Sequence, residues 1–220
     1  MPRARSKGLK IKKLFIAAAP KMRYGYGRRK NMMRIITGKA KGKKLFTLEG
    51  EATRPTSERI KGAIFSAIQF DIEGRKVLDL FAGSGQMGLE ALSRGAVKAT
   101  FIDASRDAME IVKKNANATG FADDSKFIVS DSANYLRKAA GRDKYDLVFI
   151  DPPYAMNLCK KSLEALLRYD ALNNGAIVVL ESGDEEIKLD EPPYSSFEVI
   201  KSASYGKKTA VNILGYFTKE

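Results

Sequence analysis

The sequence predicts an α/β fold: a seven-stranded mixed sheet, mostly parallel with its last strand antiparallel, helices on both faces, and an N-terminal β-hairpin and helix in front. Three observations carry that expectation. Apolar runs of strand length alternate with helical patterns from Lys76 to Leu180. The first run breaks into Gly83-Ser84-Gly85 and passes straight into a helix. The last two runs, Phe197–Lys201 and Thr209–Phe217, are joined by a short turn around Tyr205-Gly206, with no room for a helix between them.

In chain order, residues 1–31 carry 11 Lys and Arg side chains and no acidic ones, with little core-forming pattern. They read as a basic extension: either an arm that folds on RNA or an over-long start ahead of Met32 and Met33, where patterned sequence begins. Residues 32–72 read as a second unit. Arg34–Thr37 and Lys44–Leu48 are hairpin arms around a Gly38–Gly42 turn whose Lys39, Lys41 and Lys43 alternate with small residues and can meet phosphate. Pro55 then opens a helix that Thr56 or Ser57 can cap, with Ile60, Ile64, Phe65 and Ile68 on one face. Arg54, Arg59 and Lys61 gather around its first turn, against the helix dipole, which points to an anionic partner.

Residues 73–220 form the third unit. Val77–Phe81, Lys98–Asp103, Lys126–Val129, Asp146–Ile150 and Ala176–Leu180 are predicted strands; Met87–Ser93, Asp107–Thr119, Ala133–Ala140 and Leu158–Leu167 are predicted helices between them. Such β-α units make a parallel sheet covered on both sides. In the first of these helices Leu89, Ala91 and Leu92 are set against Glu90 and Arg94 as the polar side.

Composition excludes several chemistries. The chain has no histidine and one cysteine, so imidazole bases, His-based triads, intramolecular disulfides and multi-thiolate zinc sites are excluded, and no metal is expected. Of the net charge of +13, the first 61 residues carry +16 and the remaining 159 carry −3, the electrostatic footprint of a polyanion binder. No run approaches the roughly 18 apolar residues of a membrane span. A cytoplasmic monomer is expected.

Ligands of open α/β sheets bind at the carboxyl ends of the strands. Four carboxylates fall there: Asp79, Asp103, Asp131 and Asp151. Such a rim repels a pyrophosphate and suits a ligand with positive charge and sugar hydroxyls. S-adenosylmethionine is one: Asp103 is placed to hold its ribose, Asp131 to face its adenine amino group and Asp79 to lie near its ammonium. Its carboxylate suits the glycine-loop amides. The same glycine loop in a dinucleotide-dependent oxidoreductase is the competing enzyme class, and the acidic rim counts against it.

Asp151-Pro152-Pro153-Tyr154 is the most specific signal. Two prolines stiffen the corner. An exocyclic amino group can donate to the Asp151 carboxylate and the Pro152 carbonyl, exposing the nitrogen lone pair for attack on a methyl group, while Tyr154 stacks on the base. No strong general base is needed.

Together these residues resemble a class I S-adenosylmethionine-dependent methyltransferase with a Rossmann-like sheet. Met33–Gly38, Arg54-Pro55-Thr56-Ser57-Glu58-Arg59 and Leu89–Ala96 resemble the RsmD family of bacterial 16S rRNA guanine-N2 methyltransferases, from about Met33 to the C-terminus. That resemblance implies methylation of guanine 966 in an assembled or nearly assembled small subunit. Tyr154 stands where the family commonly has Phe, which keeps the stacking plane. The candidate cofactor residues are Asp79, Phe81, Gly83, Ser84, Gly85, Asp103, Ala104, Asp131 and Ser132. The candidate RNA contacts are Arg34, Lys39, Lys41, Lys43, Arg54, Thr56, Ser57 and Arg59. Adenine N6 is the alternative acceptor, because the tetrad alone does not separate the two amino groups.

Overall fold

The computed structural model describes residues 33–48, 55–153, 157–183, 187–189, 191–206 and 209–218, with the side chains from residue 58 onward in the first helix. The basic extension 1–31, Arg54, the side chains of Thr56 and Ser57, and Tyr154 lie outside the described residues.

Helix α1 is Pro55–Ala67. The alternating part then runs β1 (Lys76–Asp79), α2 (Gln86–Ser93), β2 (Lys98–Asp103), α3 (Arg106–Thr119), β3 (Ser125–Val129), α4 (Ser132–Ala139), β4 (Tyr145–Ile150), α5 (Leu158–Arg168) and β5 (Leu172–Ser182). β6 (Phe197–Tyr205) and β7 (Thr209–Tyr216) close the chain. The seven strands lie in the order β3-β2-β1-β4-β5-β7-β6. β1 to β5 pair in parallel, and β7 runs antiparallel between β5 and β6, as the missing helix between the last two strands requires.

Local chemistry sets the helix ends. Ser105 caps α3 by accepting the Ala108 N–H at 3.2 Å, and Gly120 ends it at φ 87°. Asp131 caps α4 in the same way.

Alternate residues of the central strands feed two cores. Leu78, Leu80, Val148 and Ile150 face α4 and α5 with Leu136, Leu163 and Leu166. Val77, Phe149 and Phe101 face α2 and α3 on the other side. The hairpin residues Ile35 and Leu45 and the α1 residues Ile60, Ile64, Phe65 and Ile68 join that second core. The N-terminal elements therefore pack on the sheet itself.

Three expectations are corrected. The hairpin arms share one bridge, Arg34 with Lys44, and no longer ladder. Ile35, Gly42 and Leu45 N–H donate across the hairpin, but other donors turn to helix side chains: Ile36 and Thr37 N–H reach the Glu90 carboxylate at 2.7 and 3.0 Å, and Ala40 N–H reaches Ser93 Oγ at 3.0 Å. Glu90 is thus not on a polar side of α2 but fully buried under the hairpin. Lys61 does not face outward either. It is 2 % exposed, donates to the Arg34 carbonyl at 2.7 Å and lies 3.7 Å from Glu90. Burial lowers its pKa, and Glu90 opposes that shift.

Candidate active site

Because β1 to β4 are parallel, their carboxyl ends share one edge of the sheet. The strand order reverses between β1 and β4, the position where open α/β sheets form a ligand crevice. Asp79 and Asp103 end β1 and β2, while Asp131 and Asp151 follow β3 and β4. Asp79 is in register with Phe149, so the glycine loop and the Asp-Pro-Pro corner leave the sheet side by side.

The loop is built for close approach. Gly83 and Gly85 have φ of 52° and 78°, the left-handed region that favours glycine. A Cβ on Gly85 would lie 2.9 Å from Val112, and one on Gly88 would lie 2.4 Å from Phe101, so α2 rests directly on β2 and α3. Gly85 is the N-cap of α2 and gives it no side-chain cap.

Two carboxylates hold this loop. Asp103 is half-buried and accepts Gly83 N–H at 2.9 Å with one oxygen and Ser105 N–H at 2.8 Å with the other. Each oxygen keeps a lone pair for a hydroxyl. Asp79 is 3 % exposed and accepts Gly88 N–H at 3.1 Å in the first turn of α2. Burial pushes its carboxyl up to about 7, the Asp103 charge adds to the rise, and the Gly88 and Phe81 N–H groups oppose it.

The folded protein therefore holds a proton on Asp79 that the unfolded chain has already lost. Between the ordinary carboxyl value of 3.8 and about 7, this group's stability contribution is lost as pH rises. An Asp79→Asn variant is expected to flatten the dependence of Tm on pH across that window. Parallel Tm–pH curves for the two proteins would contradict this.

At the β4 end, Ile150 and Pro152 are buried, while Asp151 and Pro153 are exposed. The buried proline fixes the corner and the acid stands on its outer side. Asp131 is exposed and accepts Asn134 N–H at 2.8 Å. Phe81 and Ser132 are half-buried and Ala104 is exposed along the same edge. Ser84 is buried, its hydroxyl directed to Met33 Sδ at 3.1 Å. Among the described residues no group of three or more His, Cys, Asp or Glu gathers as a metal site.

The basic surface lies on the hairpin and α1. Lys39, Lys41 and Lys43 are exposed at the turn, and Arg59 is exposed on α1. Arg34 is also exposed and pairs with Glu58 at 2.9 Å. Gly38 fits only because it has no side chain: a Cβ there would lie 1.8 Å from the Ser93 carbonyl oxygen. The anchors Glu90, Ser93 and Asn115 had no role assigned from the sequence. Asn115 carried a readable signal, a polar residue at i+3 from Val112 on the buried stripe of α3.

The chain is similar to known proteins over most of its length. The family model described as conserved hypothetical protein 95 matches residues 33–213. The chain is 36 % identical over 160 residues to YlbH of Bacillus subtilis (strain 168), a candidate rRNA methyltransferase, covering 72 % of this chain and 86 % of that protein. It is 33 % identical over 154 residues to ribosomal RNA small subunit methyltransferase D of Haemophilus influenzae, covering 70 % and 80 %. The solved structure of yhhF, a candidate methyltransferase of Escherichia coli, superposes with a TM-score of 0.74 at 29 % identity, over 86 % of this chain and all of that one. The fold is the Rossmann-like class I methyltransferase fold.

Proposed function

We propose, since this chain belongs to the RsmD family of rRNA methyltransferases whose model is described as conserved hypothetical protein 95, that it methylates the exocyclic N2 of a guanine in small-subunit rRNA. S-adenosylmethionine is the donor and guanine 966 the proposed target. The observation that carries the reading is the Asp151-Pro152-Pro153 corner beside the glycine loop at the point where strand order reverses.

The residues present fit this donor. The glycine loop at the α2 N-terminus suits its carboxylate, Asp103 its ribose diol, and Asp131 its adenine amino group. Asp79, when ionised, favours its ammonium. When bound, S-adenosylmethionine supplies a methyl group activated by a sulfonium. The protein's part is to hold the amine. The Asp151 carboxylate and the Pro152 carbonyl accept its two hydrogens and draw the nitrogen away from conjugation with the ring, leaving its lone pair facing the donor. The nitrogen would take the methyl group as the donor's sulfur–methyl bond breaks, leaving S-adenosylhomocysteine, and would then release one proton to Asp151 or water. Positioning and fixed charge carry this reaction, which suits a chain without histidine. Tyr154 is proposed to stack on the extruded base, next to the stiff corner.

Lys39, Lys41 and Lys43 on the turn, with Arg59 on α1, are proposed to position the rRNA through phosphate contacts; Arg34, Arg54, Thr56 and Ser57 are assigned to the same surface. An Arg59→Ala variant is expected to weaken rRNA binding and to reduce the slope of log K against log salt by about 1, with cofactor affinity unchanged. An unaltered slope would remove Arg59 from the interface. The reaction class is tested by following labelled methyl groups from S-adenosylmethionine into small subunits, tRNA and DNA offered together. Label is expected in the small-subunit rRNA, and label confined to DNA or tRNA would overturn the reading.

A further inference from the structure

The hairpin and the glycine loop are joined through the side chains of Asn115 and Met33. Asn115 is fully buried on α3 and makes three hydrogen bonds. Its Nδ2 donates to the Ser84 carbonyl at 2.8 Å and to the Phe46 carbonyl at 2.9 Å, while its Oδ1 accepts Phe46 N–H at 2.7 Å. Ser84 is in the glycine loop, and Phe46 is in the second arm of the hairpin. From the first arm, Met33 Sδ accepts the Ser84 hydroxyl.

Ser84 lies between two glycines in the left-handed region, so its peptide groups have little steric restraint of their own. The Ser84–Gly85 peptide is held at both ends instead. Its carbonyl is held by Asn115, and its N–H donates to the Ala82 carbonyl at 2.6 Å. Removing the amide frees one end of the peptide that sets where the loop and the α2 N-terminus face.

We propose that Asn115 is a positioning residue that pre-forms the glycine loop for S-adenosylmethionine, and that the hairpin sets its position through Phe46, linking rRNA contact at the hairpin to cofactor affinity. This rests on the reading of the glycine loop as the cofactor site. Pre-forming a loop raises affinity by removing the cost of ordering it on binding. Linkage makes the effect reciprocal: the factor by which rRNA bound at the hairpin raises cofactor affinity is the factor by which bound cofactor raises rRNA affinity.

The test is calorimetric titration of S-adenosylmethionine into the full chain, at a temperature where circular dichroism shows each variant folded. Asn115→Leu keeps volume and removes all three bonds; Asn115→Asp keeps the acceptor for Phe46 N–H and loses both donors. Both are expected to raise Kd about tenfold, and to lower kcat/KM for cofactor more than kcat. Phe46→Pro removes the hairpin's N–H donor. It is expected to raise Kd in the wild-type background and to add less than about twofold in the Asn115→Leu background. A folded Asn115 variant with wild-type Kd and a lowered Tm shows a structural role only and overturns the proposal. Fully additive losses overturn the link to the hairpin. A wild-type protein that binds no S-adenosylmethionine overturns the proposed function, and the joint with it.

Discussion

An Asp151→Ala variant is expected to lose methyl transfer by about 10²–10³-fold or more while its affinity for S-adenosylmethionine stays within about tenfold of wild type. The separation follows from position. Asp151 stands outside the buried Ile150 and Pro152, at the end of a central strand, so removing its carboxylate leaves the core intact. The glycine loop and Asp79 lie on the neighbouring strand β1 and Asp103 on β2 beyond it, and they are held by their own hydrogen bonds. What disappears is an acceptor for one hydrogen of the target amine, and with it the geometry that frees the nitrogen lone pair. Asp151→Asn is expected to rescue little, because it replaces one acceptor oxygen with a donor. Single-turnover rates at saturating cofactor, alongside calorimetric affinity, check both halves. A rate within tenfold of wild type would contradict the assigned role.

Glu90→Ala is expected to be the most destabilising single change on the hairpin side, by about 3–5 kcal/mol, lowering Tm by on the order of 10 °C. The fully buried Glu90 carboxylate accepts the N–H groups of Ile36 and Thr37 and the Arg94 Nε at 2.9 Å, with Lys61 3.7 Å away. Alanine would leave two backbone donors without their acceptor and a 2 %-exposed lysine without its counter-charge. Arg94 is partly supported elsewhere, over the Phe65 ring at 4.8 Å, so the larger penalty falls on Lys61 and the hairpin. Adding Lys61→Met to Glu90→Ala is accordingly expected to recover part of the loss, since a buried unpaired cation costs more than a buried methionine. Thermal unfolding of the single and double variants measures this. A Glu90→Ala Tm within 2 °C of wild type would contradict the clamp, on the scale of about 1 kcal/mol or less.

The parts that were legible in the sequence are those governed by local periodicity. Five strands alternating with amphipathic helices, and a final pair too close for a helix, predict the seven-stranded mixed sheet that is found, though not the spatial order of its strands. The carboxylates at strand ends were legible for the same reason, because a parallel sheet brings every carboxyl end to one edge. The strands β5 and β6 extend beyond their apolar runs, since pairing with β7 continues through Glu181 and Ser182 and through Ser202 to Tyr205. What was not legible depended on contacts between residues far apart in the chain. Glu90 lies 54 residues from Ile36, and Lys61 lies 27 residues from the carbonyl it donates to. A charged residue in an eight-residue helix looks solvent-facing until a hairpin is laid over it. The hairpin's short ladder has the same cause, because amides taken by α2 and α3 side chains are not donated across the turn.

The central claim is that the corner at Asp151 presents the exocyclic amine of a guanine to a methyl donor. Its most direct test is to incubate the protein with labelled S-adenosylmethionine and small subunits lacking the modification, digest the rRNA, and identify the labelled nucleoside by mass spectrometry. N2-methylguanosine at a single position, absent with Asp151→Ala, is the result expected. N6-methyladenosine, or label in rRNA that persists with Asp151→Ala, would contradict it.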